Sequence, residues 1–106
     1  MKIYISGPIT GTEGYRARFD AAERRLKKEG HKVVNPARAN AALPEGTTHK
    51  EYMSVSIAML DMCEIIFMLK GWEKSIGCSQ ELAHAMANGM TIVFEGENIE
   101  EHYAGI

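Results

Sequence analysis

Four short apolar runs alternate along the chain with longer stretches in which apolar residues recur every three or four positions. The runs are typical of β-strands, and they cover residues 3–6, 31–34, 65–69 and 91–94. The stretches between them are typical of amphipathic helices, as at Tyr15, Phe19, Ala22 and Leu26. Regular alternation of strands and helices predicts parallel strands joined by right-handed crossovers, which is a three-layer α/β sandwich.

Two S/T-x-x-E patterns, at Thr10–Glu13 and Thr48–Glu51, have the form of capping boxes and predict helix starts. Residues 37–47 are polar and rich in alanine, with a proline and a glycine near their end, and we expect a surface loop there. The tail, residues 98–106, is predicted to add one or two helical turns.

Length and composition favour one soluble domain over residues 1–106, since 45% of the residues are hydrophobic and 25% are charged. Twelve basic and fourteen acidic side chains give a net charge of −2, and no basic stripe suggests a nucleic acid polymer as partner. The longest apolar run, Ile65–Leu69, is too short to span a membrane, and the N-terminus has no signal-peptide pattern. We therefore expect a cytoplasmic protein.

Cysteine and histidine spacing favours neither a disulfide framework nor a metal centre. Cys63 and Cys78 form no C-x-x-C pair and belong to no Cys/His cluster. Glu81 and His84 have Glu-x-x-His spacing, but a di-iron bundle needs two such helices and further carboxylates. We expect no metal and no cofactor.

In an open parallel sheet, ligands bind beyond the carboxyl ends of the strands. Four segments are predicted to meet there: Gly7–Gly11, Asn35–Pro36, Gly71–Gly77 and Glu95–Gly96. Two of them run into helix N-termini with glycine nearby, which favours an anion, although short turns also need glycine for conformational reasons. The spacing matches neither the P-loop nor the dinucleotide-binding motif.

Several side chains near this edge are candidates for chemistry. Glu81 lies near the start of the third long helix, where the helix dipole stabilises an ionised carboxylate, as a glycosyl-transfer nucleophile requires; an ordinary first-turn glutamate is the alternative. Tyr4 lies near the end of the first strand, where a buried phenol needs a hydrogen-bond partner. Trp72 either stacks on a base or covers the sheet edge, and Asp61 occupies a helix C-terminus that disfavours an acid by about 0.3–1 kcal/mol.

Taken together, three segments resemble the nucleoside 2-deoxyribosyltransferase superfamily: YISGPITG at 4–11, LDMCEII at 60–66 and GWEKSIGCSQELA at 71–83. The chain is most similar to a short bacterial and phage branch of unknown function, which is related to the 2′-deoxynucleoside 5′-phosphate N-hydrolases. The resemblance covers nearly the whole chain in order. It implies a flavodoxin/Rossmann-like three-layer sandwich with a small parallel sheet of four or five strands.

The resemblance also implies cleavage of an N-glycosidic bond. Glu81 matches the nucleophile that forms a glycosyl-enzyme, and Tyr4 matches the tyrosine that orients it. Ser75 matches a position that differs between two branches of the family. The transferases carry an aspartate there, which binds a free 5′-hydroxyl, and the nucleotide hydrolases carry a serine, which binds a 5′-phosphate. A serine hydroxyl can donate to a phosphate, which favours a nucleoside 5′-monophosphate. The expected substrate contacts are Gly7, Ile9, Thr10, Gly11, Asn35, Ser56, Trp72, Ser75 and Gly77.

One position departs from the family's pattern. The aspartate that protonates the leaving base falls on Ser56, and a serine is a poor general acid. The proton then comes from another acid, or the catalytic power is reduced. The candidates are Asp61, which lies about 140° further around the helix, Glu73 and a residue of a neighbouring subunit. The family completes its sites across oligomer interfaces, so we expect a homodimer or higher homo-oligomer. One candidate interface is the predicted helix that starts at Thr48, which carries Met53, Met59 and Met62.

Three hypotheses follow. The first is a hydrolase that cleaves a nucleoside or deoxynucleoside 5′-monophosphate into free base and sugar phosphate. The second is a nucleotide-binding protein that has lost catalysis, which Ser56 favours. The third is a transferase that moves deoxyribose between bases, against which Ser75 argues.

Overall fold

The computed structural model describes residues 1–100 of the 106-residue chain. Its strands are β1 (Lys2–Ser6), β2 (Lys32–Val34), β3 (Ile65–Met68) and β4 (Thr91–Phe94). Its helices are α1 (Tyr15–Lys28), α2 (Pro36–Ala41), α3 (His49–Leu60) and α4 (Ile76–Ala87), and a 3₁₀ turn covers Trp72–Lys74.

The four strands form one sheet in the order β2-β1-β3-β4, and all three pairings are parallel. Since β1 and β3 are neighbours although the chain visits β2 between them, the order reverses at this pair. The predicted three-layer α/β sandwich is confirmed, with four strands in residues 1–100. A reversal of strand order opens a crevice at the carboxyl ends of the two central strands.

Alternation along β1 divides the interior into two layers. Ile3 and Ile5 face the cluster that includes Phe19 of α1, whereas Tyr4 faces the cluster that includes Leu60 of α3. The side chains of β3 are buried throughout, as expected for a strand covered on both faces. Because successive strand residues point to opposite faces, Ser6 shares the face of Tyr4 and points toward α3 and α4.

The first predicted helix start is wrong. Helix α1 begins at Tyr15, after Gly14, and no side chain caps it. Gly11 and Gly14 both have a φ of 71°, a conformation that side-chain-bearing residues rarely adopt, so the chain turns twice before the helix begins. The second predicted start is confirmed, since Thr48 and Glu51 form a reciprocal capping box at the start of α3.

The loop predicted for residues 37–47 is wrong in its first half, which belongs to α2. The Asn35 side chain accepts a hydrogen bond from the backbone N–H of Ala37 at 3.1 Å, and Pro36 occupies the first helical turn. Asn–Pro ends a strand, but an asparagine cap followed by proline is also a start signal for a helix. The helical turns predicted for residues 98–106 fall largely on residues 101–106, which lie outside the described residues.

Within residues 1–100, no helix is both long and apolar enough to cross a membrane. Cys63 and Cys78 are buried free thiols. The same part of the chain holds no group of three or more histidine, cysteine, aspartate or glutamate side chains arranged to bind a metal ion.

Candidate active site

A cavity of about 400 Å³ opens at the carboxyl edge of the sheet, where the strand order reverses. Its size falls within the range of small-molecule sites. The loop after β1, the first turns of α1, α3 and α4, and one side of α2 line it. Three crossovers therefore contribute walls to the same crevice.

Glu81 lies on the wall of this cavity and is held by two residues of β1. The Tyr4 phenol donates to Oε2 of Glu81, and the Ser6 hydroxyl donates to Oε1 at 2.7 Å. All three side chains are buried, although Tyr4 and Glu81 also line the cavity. Both carboxylate oxygens therefore have a fixed donor, which sets the orientation of the carboxylate toward the cavity.

Burial dominates the electrostatics of this group. Desolvation raises the pKa of Glu81 above its ordinary value, and the hydrogen bonds from Tyr4 and Ser6 lower it without reversing the shift. Desolvation, and then the neighbouring carboxylate, raise the pKa of Tyr4 well above 10.0, so the phenol stays protonated and remains a donor.

Glu81 lies near the start of α4, in the second turn of the helix. Helix α4 begins at Ile76 and is capped by Ser75, whose Oγ accepts from the N–H of Cys78 at 3.2 Å, so Glu81 belongs to the second turn. The helix dipole acts mainly on the terminal turn. The donors on β1 therefore replace the dipole as the groups that stabilise the ionised carboxylate.

The cavity brings together eight of the residues singled out in the sequence. Besides Tyr4 and Glu81, these are Gly7, Ile9, Thr10, Ser56, Ser75 and Gly77. Ser56 is buried, and its hydroxyl lowers the pKa of the nearby Tyr4 phenol. It thus lies near the group that holds Glu81.

Four predicted site residues do not line the cavity: Gly11, Asn35, Asp61 and Trp72. Asp61 is half-exposed at the end of α3 and pairs with Nε2 of His84 at 2.6 Å, so the geometry does not support it as the acid of this site. Asn35 is buried, and its amide donates to Asp20 and Glu23, which fastens α2 to α1. Trp72 packs against Phe94 of the edge strand β4, with ring centroids 5.8 Å apart.

The structure adds residues that the sequence reasoning missed. Ser6 is one, and its position two residues after Tyr4 on the same strand face is the signal that was available. His49 and Asn40 line the cavity as well. Oδ1 of Asn40 is buried without a hydrogen-bond partner among the described residues, so it is available to accept from a ligand or from water. Further lining residues are Tyr15, Arg16, Phe19, Pro36, Ala37, Ala41, Leu43, Tyr52, Met53 and Cys78.

The fold and the cavity define a parallel α/β protein with a carboxylate, oriented by two hydroxyl donors, at the switch point of its sheet. Residues 1–94 match the family described as a domain of unknown function, DUF4406, and the chain belongs to that family. No curated protein matches it.

A solved structure supports the fold. It is that of the 2-deoxyribosyltransferase from the psychrotolerant bacterium Bacillus psychrosaccharolyticus, to which this chain is similar with a TM-score of 0.71. The similarity covers 93% of this chain and 77% of the other, at 20% sequence identity. The fold that the sequence resemblance implied is therefore confirmed.

Proposed function

We propose that this protein hydrolyses the N-glycosidic bond of a nucleoside or deoxynucleoside 5′-monophosphate, with Glu81 as the nucleophile. The observation that carries the proposal is the carboxylate of Glu81, held by Tyr4 and Ser6 on the wall of a nucleotide-sized cavity. The fold shared with a 2-deoxyribosyltransferase supports the same class of chemistry.

The reaction uses this geometry in two steps. An oxygen of ionised Glu81 attacks the anomeric carbon, the bond to the base nitrogen breaks, and the departing base takes a proton. Water then attacks the anomeric carbon of the glycosyl-enzyme and releases the sugar phosphate and the Glu81 carboxylate. Because Tyr4 and Ser6 donate to the carboxylate, they hold it in position before the attack and stabilise it when it leaves.

The start of α4 supports recognition of a 5′-phosphate. Ser75 caps this helix and lines the cavity beside Gly77. Its Oγ accepts a hydrogen bond from the backbone N–H of Cys78, and its hydroxyl is of a type that can donate to a phosphate. A helix N-terminus also offers unpaired backbone N–H groups to an anion.

Incubation with each common ribo- and deoxyribonucleoside 5′-monophosphate, followed by chromatography, tests the proposal. We expect free base and an equal amount of sugar phosphate, with slower release from the corresponding nucleosides. An added acceptor base distinguishes the transferase, because a new nucleoside then forms. The proposal is wrong if no base is released from any nucleotide.

A second candidate function is nucleotide binding without turnover, which the identity of Ser56 favours. This buried serine lies on α3 beside Tyr4, where the sequence resemblance leads one to expect an acid. For this candidate we expect calorimetry to show nucleotide binding and chromatography to show no release of base. Ser56→Asp separates the two candidates, since gained activity supports a loss of catalysis at this position.

We also propose that the chain forms a homo-oligomer. Three large apolar side chains on or beside α3 and α4 are mostly exposed: Met62 at 60%, Ile76 at 73% and Met86 at 63%. Burial of these side chains against a second copy of the chain would remove apolar surface from water, which favours association. Light scattering coupled to size-exclusion chromatography measures the mass directly, and a monomer of 11.8 kDa would contradict the proposal.

A further inference from the structure

The reaction proposed above needs a proton for the departing base, and Ser56 does not supply one. Among the cavity-lining residues described in 1–100, a carboxyl group occurs only at Glu81, which acts as the nucleophile. Apart from His49, the other lining groups with an ionisable proton are phenols, a thiol and a guanidinium. Histidine is the side chain that exchanges a proton near neutral pH.

We propose that His49 is the general acid that protonates the leaving base. This inference rests on the proposed hydrolase function. His49 is the first residue of α3 and lines the cavity at its exposed rim. His49 is exposed at this rim, so water reaches its imidazole.

The contact with α4 orients the imidazole. Nε2 of His49 lies 3.1 Å from Oε1 of Gln80, the residue that directly precedes Glu81. In the proposed arrangement Nε2 donates to this carboxamide oxygen, which leaves Nδ1 as the nitrogen that exchanges a proton with the base. On its other side, Cε1 of His49 lies 3.9 Å from the point where a Cβ on Gly77 would stand, so the ring lies against the first turn of α4.

The proton balance closes over one cycle. In the first step, the imidazolium gives its Nδ1 proton to a ring nitrogen of the base as the C–N bond breaks and Glu81 bonds to the anomeric carbon. In the second step, neutral His49 takes a proton from water while the resulting hydroxide attacks that carbon and frees Glu81. The imidazolium and the carboxylate are both regenerated, and one water is consumed.

This assignment predicts a bell-shaped pH profile for kcat. Glu81 must be ionised, which gives the acid limb, and His49 must be protonated, which gives the alkaline limb. The other charged or titratable groups that line the same cavity come from β1, α1, α3 and α4: Tyr4, Tyr15, Arg16, Tyr52 and Cys78.

The test compares His49→Gln with the wild-type protein on the nucleotide that is turned over fastest. We expect kcat to fall about 10²–10⁴-fold with KM little changed, and the alkaline limb to disappear. His84→Gln is the matched control, because His84 lies on α4 outside the cavity and pairs with Asp61; we expect it to keep the wild-type rate and profile. Added imidazole is expected to restore part of the rate of His49→Ala.

The failures of the two proposals are distinguishable. Three results for His49→Gln would overturn the role of His49: a wild-type rate, a raised KM with unchanged kcat, or an alkaline limb that persists. In each case base release by the wild-type protein still supports the hydrolase. If the wild-type protein releases no base, both proposals fall.

Discussion

The phenol of Tyr4 donates to Glu81, 77 residues further along the chain, and so joins β1 to α4. Desolvation penalises the ionised form of both groups. The protein nevertheless keeps a titratable carboxylate on the wall of an open cavity, which is typical of a functional site.

Removing the phenol should weaken the nucleophile. Tyr4→Phe deletes a hydrogen bond that lowers the pKa of Glu81, so that pKa rises further and the acid limb of the kcat profile moves to higher pH. A hydrogen bond to a charged group contributes about 1.5–3 kcal/mol, so we expect the rate to fall about 10- to 100-fold at neutral pH. An unshifted acid limb in steady-state kinetics would contradict this role.

Ser6→Ala should act in the same direction, because Ser6 donates to the other oxygen of Glu81 at 2.7 Å. We expect a smaller loss of rate than in Tyr4→Phe and a shift of the acid limb to higher pH. Ser54→Ala is the matched control, since the Ser54 hydroxyl donates to the carbonyl of Lys50 within the same exposed helix turn. If the pH profiles of kcat were equal for Ser6→Ala and Ser54→Ala, Ser6 would not lower the pKa of Glu81.

The raised pKa of Glu81 links stability to pH. A carboxyl whose pKa is higher in the folded than in the unfolded protein stabilises the fold at low pH and loses that contribution as pH rises through the folded pKa. Glu81→Gln should therefore unfold at a higher temperature than the wild-type protein at neutral pH, with the difference narrowing in acid. One kcal/mol shifts Tm by about 4–8 °C in a domain of this size, so thermal unfolding detects the change. A lower Tm for Glu81→Gln at neutral pH would contradict it.

Gly7 is required by packing, whatever it contacts in a ligand. A Cβ at this position would lie 2.7 Å from Cδ1 of Leu69 and 3.1 Å from Cε1 of Phe19, both buried. We expect Gly7→Ala to destabilise the fold by about 1–3 kcal/mol through overpacking. Gly77→Ala is the matched comparison. A Cβ at this position would meet no atom closer than 3.5 Å, and Gly77 lies within α4, where alanine has the higher helix propensity, so the Tm of this variant should stay level or rise. Equal Tm values for the two variants would refute the packing argument.

Both thiols should be unreactive in the folded protein. Burial raises the pKa of Cys63 to about 11, and burial also raises the pKa of Cys78. Because the thiolate is the reactive form, we expect no alkylation by iodoacetamide at pH 8 and labelling of both cysteines after denaturation. Mass spectrometry counts the labels, and rapid labelling of the native protein would contradict the burial of these groups.

Periodicity along the chain was enough to predict the sheet and its two covered faces, because β3 reads as a continuous apolar run and α1 as a regular stripe. It did not reveal α2, whose start depends on Asn35 having two roles at once, as strand end and as helix cap. The start of α1 failed for a similar reason, since a capping-box pattern at Thr10–Glu13 lies in a loop that two glycines turn.

In the candidate site, too, the sequence predicted single residues but not the contacts between them. Glu81 and Tyr4 were found from their types and places, but their contact depends on how α4 packs on β1, which no local pattern encodes. Asp61 was favoured because an acid at a helix end is costly, and its pairing with His84 accounts for that position without a catalytic role. His49 was overlooked because its role depends on the N-termini of α3 and α4 meeting at one cavity.

The most direct test of the central proposal is the initial rate of base release from 5′-monophosphates by the wild-type protein and by Glu81→Gln, with folding of both confirmed by thermal unfolding. The proposal predicts that the wild-type protein releases base and sugar phosphate in equal amounts and that Glu81→Gln is slower by about 10³-fold or more. Equal rates in the two proteins, or no release by the wild-type protein, would contradict it.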